Sequence, residues 1–272
     1  MPELPEVQSV VNYLRPIIIN QTIASVIHLN DYTKVFETHS TEQLNKQLAG
    51  QKITNVWRRG KYIIIDVAYG HLCIHLRMTG QLQEGLGKED NPKHYTALMG
   101  LVNGCEVYFK DYRKFGRIYF FEDIKILENK LGCEPLSLSF TYQYLKEGLQ
   151  ISTGIIKPKL LDQKFIAGLG NIYVDEVLWK SRIHPKKKCN QISAIKTKRL
   201  HRSIPEILEK SINYNGTTII NFSPGNKTKG RFSKHLKVFG KQGSSCYQCE
   251  STIKKIFVSQ RGTHYCPKCQ RL

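Results

Sequence analysis

Apolar residues at Val7, Val10, Val11 and Leu14 recur at the i, i+3, i+4, i+7 spacing of one helix face, directly after the opening MPELPE. Pro5 suits the first turn of that helix, and Pro16 is expected to end it. From about residue 22 to residue 125 the period changes. TIASVIHL, KITNVW, KYIIIDVAYGHLCIHL, CEVYFKD and GRIYFFE are rich in β-branched and aromatic residues and are separated by turn residues, which predicts a series of short strands. The Tyr69-Gly70 and Asn103-Gly104 pairs mark hairpin turns. The expectation is a β-sandwich that carries the N-terminal helix.

Helical periodicity returns from about residue 130, in SFTYQYLKEGL, KPKLLDQKFI, IYVDEVLWKSRI and SAIKTKRLHRSIPEILEKSINY. Between the second and third of these lies IAGLGN, a Gly-x-Gly-Asn turn whose backbone N–H groups suit an anion such as phosphate. The polar stretch NFSPGNKTKGRFSK then reads as a loop. TIKKIFVSQ and RGTHYC, near the C-terminus, read as two paired strands.

Charge sharpens this division. The net charge is +19, yet residues 1–156 hold 17 Lys/Arg against 16 Asp/Glu, whereas residues 157–272 hold 24 against 6. Such asymmetry points to a polyanion gripped mainly by the C-terminal half, against the alternative of a basic face kept for solubility. No apolar run approaches the roughly 20 residues that span a bilayer. The opening carries Glu3 and Glu6 rather than a basic and apolar leader, so a cytoplasmic protein without membrane attachment is expected.

Four of the eight cysteines, Cys73, Cys105, Cys133 and Cys189, are scattered singly. The others fall as Cys246-x2-Cys249 and Cys266-x2-Cys269 with 16 residues between the pairs, the spacing of one structural zinc ion in a ribbon. Four thiolates fill a tetrahedral shell, so no position is left to activate water. No redox or organic cofactor is expected.

The opening MPELPEV, RRGKY at 58–62, HLRMTG at 75–80, DYRKFG at 111–116, KPKLL at 157–161, GLGNIYVDEVL at 168–178 and the terminal QRGTHYCPKCQ stand in order along the whole chain. Together they resemble the bacterial formamidopyrimidine-DNA glycosylases, helix–two-turn–helix enzymes of base-excision repair. The resemblance implies an α+β fold: an N-terminal catalytic β-sandwich with its helix over 1–130, a helical helix–two-turn–helix domain over 131–235 and a zinc finger over 236–272.

It also implies roles. Pro2, exposed as an N-terminal secondary amine once the initiator methionine is removed, would be the nucleophile on the sugar C1′. An α-amine titrates near pH 8, so a neutral fraction exists at neutral pH, unlike lysine near 10.4. Glu3 would be the general acid and base, with Glu6 supporting the site. Lys61 would contact phosphate beside the lesion, and Asn171 and Arg261 would clamp the flanking phosphates. Lys157 resembles a lysine involved in handling oxidised purines. Met78, Arg113 and Phe115 match the trio that fills the gap left by an extruded nucleotide; read alone, Met78 and Phe115 are more often core residues than not. His94 and Lys114 match contacts to the DNA backbone, and the 222–234 loop, including Arg231, would lie over the extruded base.

The implied protein is a monomeric bifunctional glycosylase and abasic-site lyase that acts on damaged double-stranded DNA, removes 8-oxoguanine and formamidopyrimidines, and cleaves by β- and δ-elimination. An endonuclease VIII-like enzyme for oxidised pyrimidines shares this chemistry. A non-catalytic zinc-ribbon protein that binds nucleic acid would explain the charge but not Pro2 and Glu3, and an amine enzyme acting on keto acids would explain the amine but not the charge.

Overall fold

The computed structural model describes residues 2–86, 91–217 and 230–272. The chain divides into two compact units, Met1–Asn129 with Tyr214–Ser233, and Lys130–Asn213 with Lys234–Leu272. The sequence reading groups 131–235 together. Tyr214–Ser233 instead join the N-terminal unit, because Thr217 bonds a residue of the first helix.

In the first unit, α1 (Leu4–Ile18) buries Val7, Val10, Val11 and Leu14, each at most 2% exposed. The helix continues past Pro16 to Ile18. A proline in the last turn removes only its own N–H, and the Ile19 N–H still reaches the Arg15 carbonyl at 3.0 Å while Ile18 is fully buried. The strands are β1 (Ile23–His28), β2 (Asn55–Arg59), β3 (Tyr62–Val67), β4 (Gly70–His75), β5 (Gly80–Glu84), β6 (Tyr95–Leu101), β7 (Glu106–Asp111) and β8 (Arg117–Phe121). They form two four-stranded antiparallel sheets, ordered β1-β6-β7-β5 and β2-β3-β4-β8. Val26, Met99, Val107 and Phe109 from the first sheet and Ile63, Ile65, Leu72 and Ile118 from the second share one apolar core with α1. Helices α2 (Thr41–Leu48) and α3 (Lys125–Glu128) complete the unit.

Both predicted hairpin turns are present. Val67 pairs with Gly70, so Ala68 and Tyr69 form the loop and Gly70 is the first residue of β4. A Cβ on Gly70 would lie 2.5 Å from the Phe120 ring, so only glycine fits.

The second unit holds α4 (Tyr142–Gln150), α5 (Ile156–Leu161), α6 (Asn171–Lys180), α7 (Ala194–Asn213) and the hairpin of β9 (Lys254–Val258) with β10 (Arg261–Tyr265). The buried Glu176 of α6 accepts the N–H groups of Lys237, Val238 and Phe239 at 2.9–3.0 Å, anchoring the chain as it enters the ribbon. Among the described residues, no helix is long and apolar enough to cross a membrane.

Candidate active site

Pro2 and Glu3 lie immediately ahead of α1, with Glu3 at its N-cap and both buried. Glu6 on the first turn holds this end of the chain: its Oε2 accepts the Glu3 N–H at 3.1 Å. Its Oε1 accepts the Thr217 N–H at 2.8 Å and the Thr217 hydroxyl at 2.9 Å. The first-turn carboxylate is therefore a staple between the helix start and residue 217, and it acts through its neighbours. Gly216 allows the approach, since a Cβ there would meet Glu6 Oε1 at 2.8 Å. Residues 218–229, which hold most of the 222–234 loop, lie outside the described residues, as does Met1; Arg231 is described and donates its N–H to the Tyr214 carbonyl at 2.8 Å.

Lys61 is expected on a strand but sits in the two-residue turn between β2 and β3, after Gly60 with φ 57°, and it is buried. Arg58 orders this turn, donating Nη1 to the Gly60 carbonyl at 2.9 Å and Nε to Gln8 of α1 at 3.1 Å. The sequence reading missed His75 beside it. Burial first, then the charges of Arg77 and Lys61, pushes the His75 imidazole down to about 3, so it is neutral. Its Nδ1 accepts the Arg77 N–H at 3.0 Å, which leaves the proton on Nε2 as a donor.

The Met78, Arg113 and Phe115 side chains form one exposed cluster. The Arg113 guanidinium lies 4.7 Å from the Phe115 ring centre and its Nη1 is 3.2 Å from Met78 Sδ. Met78 is 40% and Phe115 45% exposed, so the core reading of both is excluded. A buried carboxylate that the motif reading passed over fixes both loops. Asp111 accepts the Gly116 N–H at 2.7 Å, the Arg113 N–H at 3.1 Å and the Thr79 hydroxyl. His94 stacks at a tilt on Tyr112, with centroids 4.4 Å apart, and Lys114 takes a left-handed φ of 55° with its ammonium over Tyr32.

In the second unit, Asn171 opens α6 behind Gly170, and Gln163 braces the preceding turn by accepting the Gly168 N–H and donating to the Leu169 carbonyl, both at 2.9 Å. Asn171 Nδ2 donates to the Gly262 carbonyl at 2.9 Å, which places it beside the exposed Arg261 at the start of β10. Lys157 is fully buried. Its ammonium pairs with Asp175 at 2.6 Å and bonds Thr263 Oγ1 at 2.8 Å, so it holds the ribbon rather than presenting a free cation.

The four predicted zinc ligands converge. The sulfurs of Cys246, Cys249, Cys266 and Cys269 all lie within 4.8 Å of one another, which fits one tetrahedral zinc ion with four thiolates. Trp179 Nε1 donates to Cys246 Sγ at 3.4 Å, an outer-shell contact of the kind that orients thiolate ligands.

An exposed methionine–arginine–phenylalanine cluster and a four-cysteine ribbon carrying a basic tip suit a nucleic-acid-handling protein. The chain matches the formamidopyrimidine-DNA glycosylase N-terminal domain over residues 1–118, the H2TH domain of the same glycosylases over 131–223, and the zinc finger found in FPG and IleRS over 243–272. The formamidopyrimidine-DNA glycosylase of Pelotomaculum thermopropionicum is 38% identical over 278 residues, with both chains covered in full. Wild-type Lactococcus lactis Fpg (MutM), crystallised with DNA containing N7-benzyl-Fapy-dG, superposes with a TM-score of 0.90 at 39% identity. MutM in complex with DNA containing carbocyclic 8-oxo-G gives the same two values, and full coverage of both chains holds in each case. The chain belongs to the formamidopyrimidine-DNA glycosylase family.

Exposure of this cluster fits the gap-filling role that the resemblance implies, and that role has a direct consequence. Unstacking a nucleotide costs a few kcal/mol, which a side chain inserted in its place offsets. Arg113→Ala and Met78→Ala should each slow excision from duplex by about 10- to 100-fold. Cleavage of a single-stranded abasic substrate, where no gap needs filling, should stay near wild type in a gel assay of strand scission. Equal losses on both substrates would sink the wedge role.

Proposed function

We propose that the protein is a bifunctional DNA glycosylase and abasic-site lyase of base-excision repair that removes oxidised purines, 8-oxoguanine and formamidopyrimidines among them. The observation that carries this is full-length membership of the family, at 38% identity to a formamidopyrimidine-DNA glycosylase, with Pro2 and Glu3 at the head of the anchored helix α1.

The Pro2 nitrogen attacks C1′ of the damaged nucleotide, and the C1′–N bond to the base breaks with proton delivery from Glu3. The attacking nitrogen passes its own N–H proton by way of the Glu3 carboxylate to O4′ as the C1′–O4′ bond opens, which leaves an iminium between C1′ and the proline nitrogen. Because the amine is secondary, this iminium has no N–H proton to lose and keeps its positive charge. That charge acidifies the C2′ proton; its removal expels the 3′ phosphate, and a second elimination expels the 5′ phosphate. Lys61 and the Nε2–H of His75 supply donors to backbone phosphate in the first unit, and Asn171 and Arg261 do so in the second. His94 and Lys114 add backbone contacts beside the wedge. Glu6 fixes the Glu3 backbone, and Lys157 acts through the ribbon. Cys246, Cys249, Cys266 and Cys269 would hold one zinc ion, which would shape the ribbon; with four thiolates filling its shell, no position would be left to activate water. One chain carries every residue invoked, so the protein works as a monomer, in the bacterial cytoplasm where its substrate lies.

The test is excision from matched duplexes. A duplex with 8-oxoguanine opposite cytosine should be cut to a one-nucleotide gap bearing phosphates at both ends, faster than a duplex with an oxidised pyrimidine. The reverse preference would move the protein to the endonuclease VIII-like branch, and tight binding with no cleavage of either would refute catalysis.

A further inference from the structure

Two opposite charges in the second unit are sealed from solvent, Lys157 on α5 and Asp175 on α6, both with side chains at 0% exposure. Desolvating such a pair costs more than an apolar contact of the same size would, so stability alone is a poor reason for it. Hydrogen bonds from both charges run to one strand. Lys157 Nζ also bonds Thr263 Oγ1 at 2.8 Å and approaches the Gly262 carbonyl at 3.4 Å. Asp175 Oδ2 accepts the His264 N–H at 2.7 Å and lies 3.3 Å from His264 Nδ1. Thr263 Oγ1 in turn donates to the Arg261 carbonyl at 2.8 Å. Four consecutive residues of β10, Arg261 to His264, are thus pinned by one ion pair. Asn171 shares the Gly262 carbonyl at 2.9 Å.

The pinned strand needs pinning. Ser259 and Gln260, the two residues between Val258 and Arg261, have φ of 45° and 60°. Left-handed backbone costs about 1–2 kcal/mol per non-glycine residue, and the turn is held by the ladder from β10 to β9 on one side and by the ion pair behind β10 on the other.

We infer that Asp175 and Lys157 are positioning residues for the phosphate grip, an internal charged peg that sets the place of Arg261 relative to Asn171 without touching DNA. This rests on the reading above in which Arg261 and Asn171 hold phosphate. The peg explains why a lysine matched to the family's site motif is buried to 0%: it acts through β10.

The experiment is a double-mutant cycle. Affinity for a duplex with an uncleavable tetrahydrofuran abasic analogue is measured by anisotropy across a salt series, for wild type, Asp175→Asn, Thr263→Val, Arg261→Ala, and Arg261→Ala combined with each of the other two. Arg261→Ala should weaken binding by about 10- to 100-fold, the value of one charge-assisted contact, and lower the slope of log affinity against log salt by about 0.9. Asp175→Asn and Thr263→Val should reproduce part of the loss and of the slope change with zinc content unaltered, and should add nothing further once Arg261 is alanine. Additive effects in the doubles, or singles at wild-type affinity beside a weakened Arg261→Ala, would overturn the peg while leaving the grip. No loss in Arg261→Ala would overturn the grip, and the peg with it. Should Asp175→Asn fail to fold, Thr263→Val decides alone, since it cuts the link to the Arg261 carbonyl and leaves the ion pair in place.

Discussion

Borohydride added to the protein and a duplex carrying 8-oxoguanine opposite cytosine will leave a covalent protein–DNA adduct at Pro2. Pro2→Gly will reduce its yield by about two orders of magnitude or more. Glycine still offers an amine, but a primary one. The imine it forms can lose its N–H proton and become neutral, so both the reducible iminium and the electron sink that drives elimination are depleted. A residue added ahead of Pro2 turns its nitrogen into an amide and should abolish trapping altogether. The geometry favours so strong a dependence. Pro2 precedes Glu3, whose N–H is held by Glu6 at 3.1 Å, so the amine is attached to an immobilised helix start rather than a loose end. Mass mapping of the reduced adduct decides the matter. An adduct of undiminished yield on a blocked N-terminus, mapping to a lysine, would remove Pro2 from the mechanism.

Stripping the zinc should have the next largest effect. The ribbon's own core consists of Val238, Cys246, Ile253 and Cys266 packed on Trp179, so two of its five buried members are metal ligands. Such a nucleus cannot fold a segment of this size alone, whereas a bound structural zinc contributes about 10–16 kcal/mol of apparent free energy. Chelation, or Cys249→Ser, should therefore unfold residues 243–272 as a block and weaken affinity for an abasic-analogue duplex by about 100-fold or more. Arg261 stands between the two ligand pairs. Hydrogen exchange provides the check: amides of β9 and β10 should lose protection while those of β3 and β4 keep theirs. Zinc-free protein with unchanged affinity would exclude the ribbon from DNA binding.

The elements that a short-range pattern defines were legible from the sequence. Val7, Val10, Val11 and Leu14 mark the buried face of α1, the β-branched runs mark the strands, and the two Cys-x2-Cys pairs mark the thiolate cluster. Several features depend on partners distant along the chain and have no local signature. Pro16 reads as a helix stop, yet burial of Ile18 carries the helix through it. Lys61 reads as a strand residue because RRGKY is flanked by strands, although Gly60 turns the chain there. Asp175 lies within the apolar run IYVDEVLW, where no periodicity reveals that Lys157 and His264 await it. Asp111 is visible in the DYRKFG motif, but its bond to Thr79 spans 32 positions and appears only in the fold. The Ser259–Gln260 turn carries none of the Asn-Gly chemistry by which such turns are recognised.

The bond from Glu6 to Thr217 crosses 211 positions of sequence. At a ribosomal rate of about 5–20 residues per second, the partner of that glutamate leaves the synthetic machinery roughly 10–40 seconds after the glutamate itself. The two sheets end at Phe121 and can assemble first. During that interval the start of α1 lacks the tether from Glu6 to Thr217, and the mechanism proposed above requires the initiator methionine to be removed before Pro2 can act. The distance between the two residues on the message thereby allows Pro2, the nucleophile proposed above, to be uncovered before the staple beside it closes.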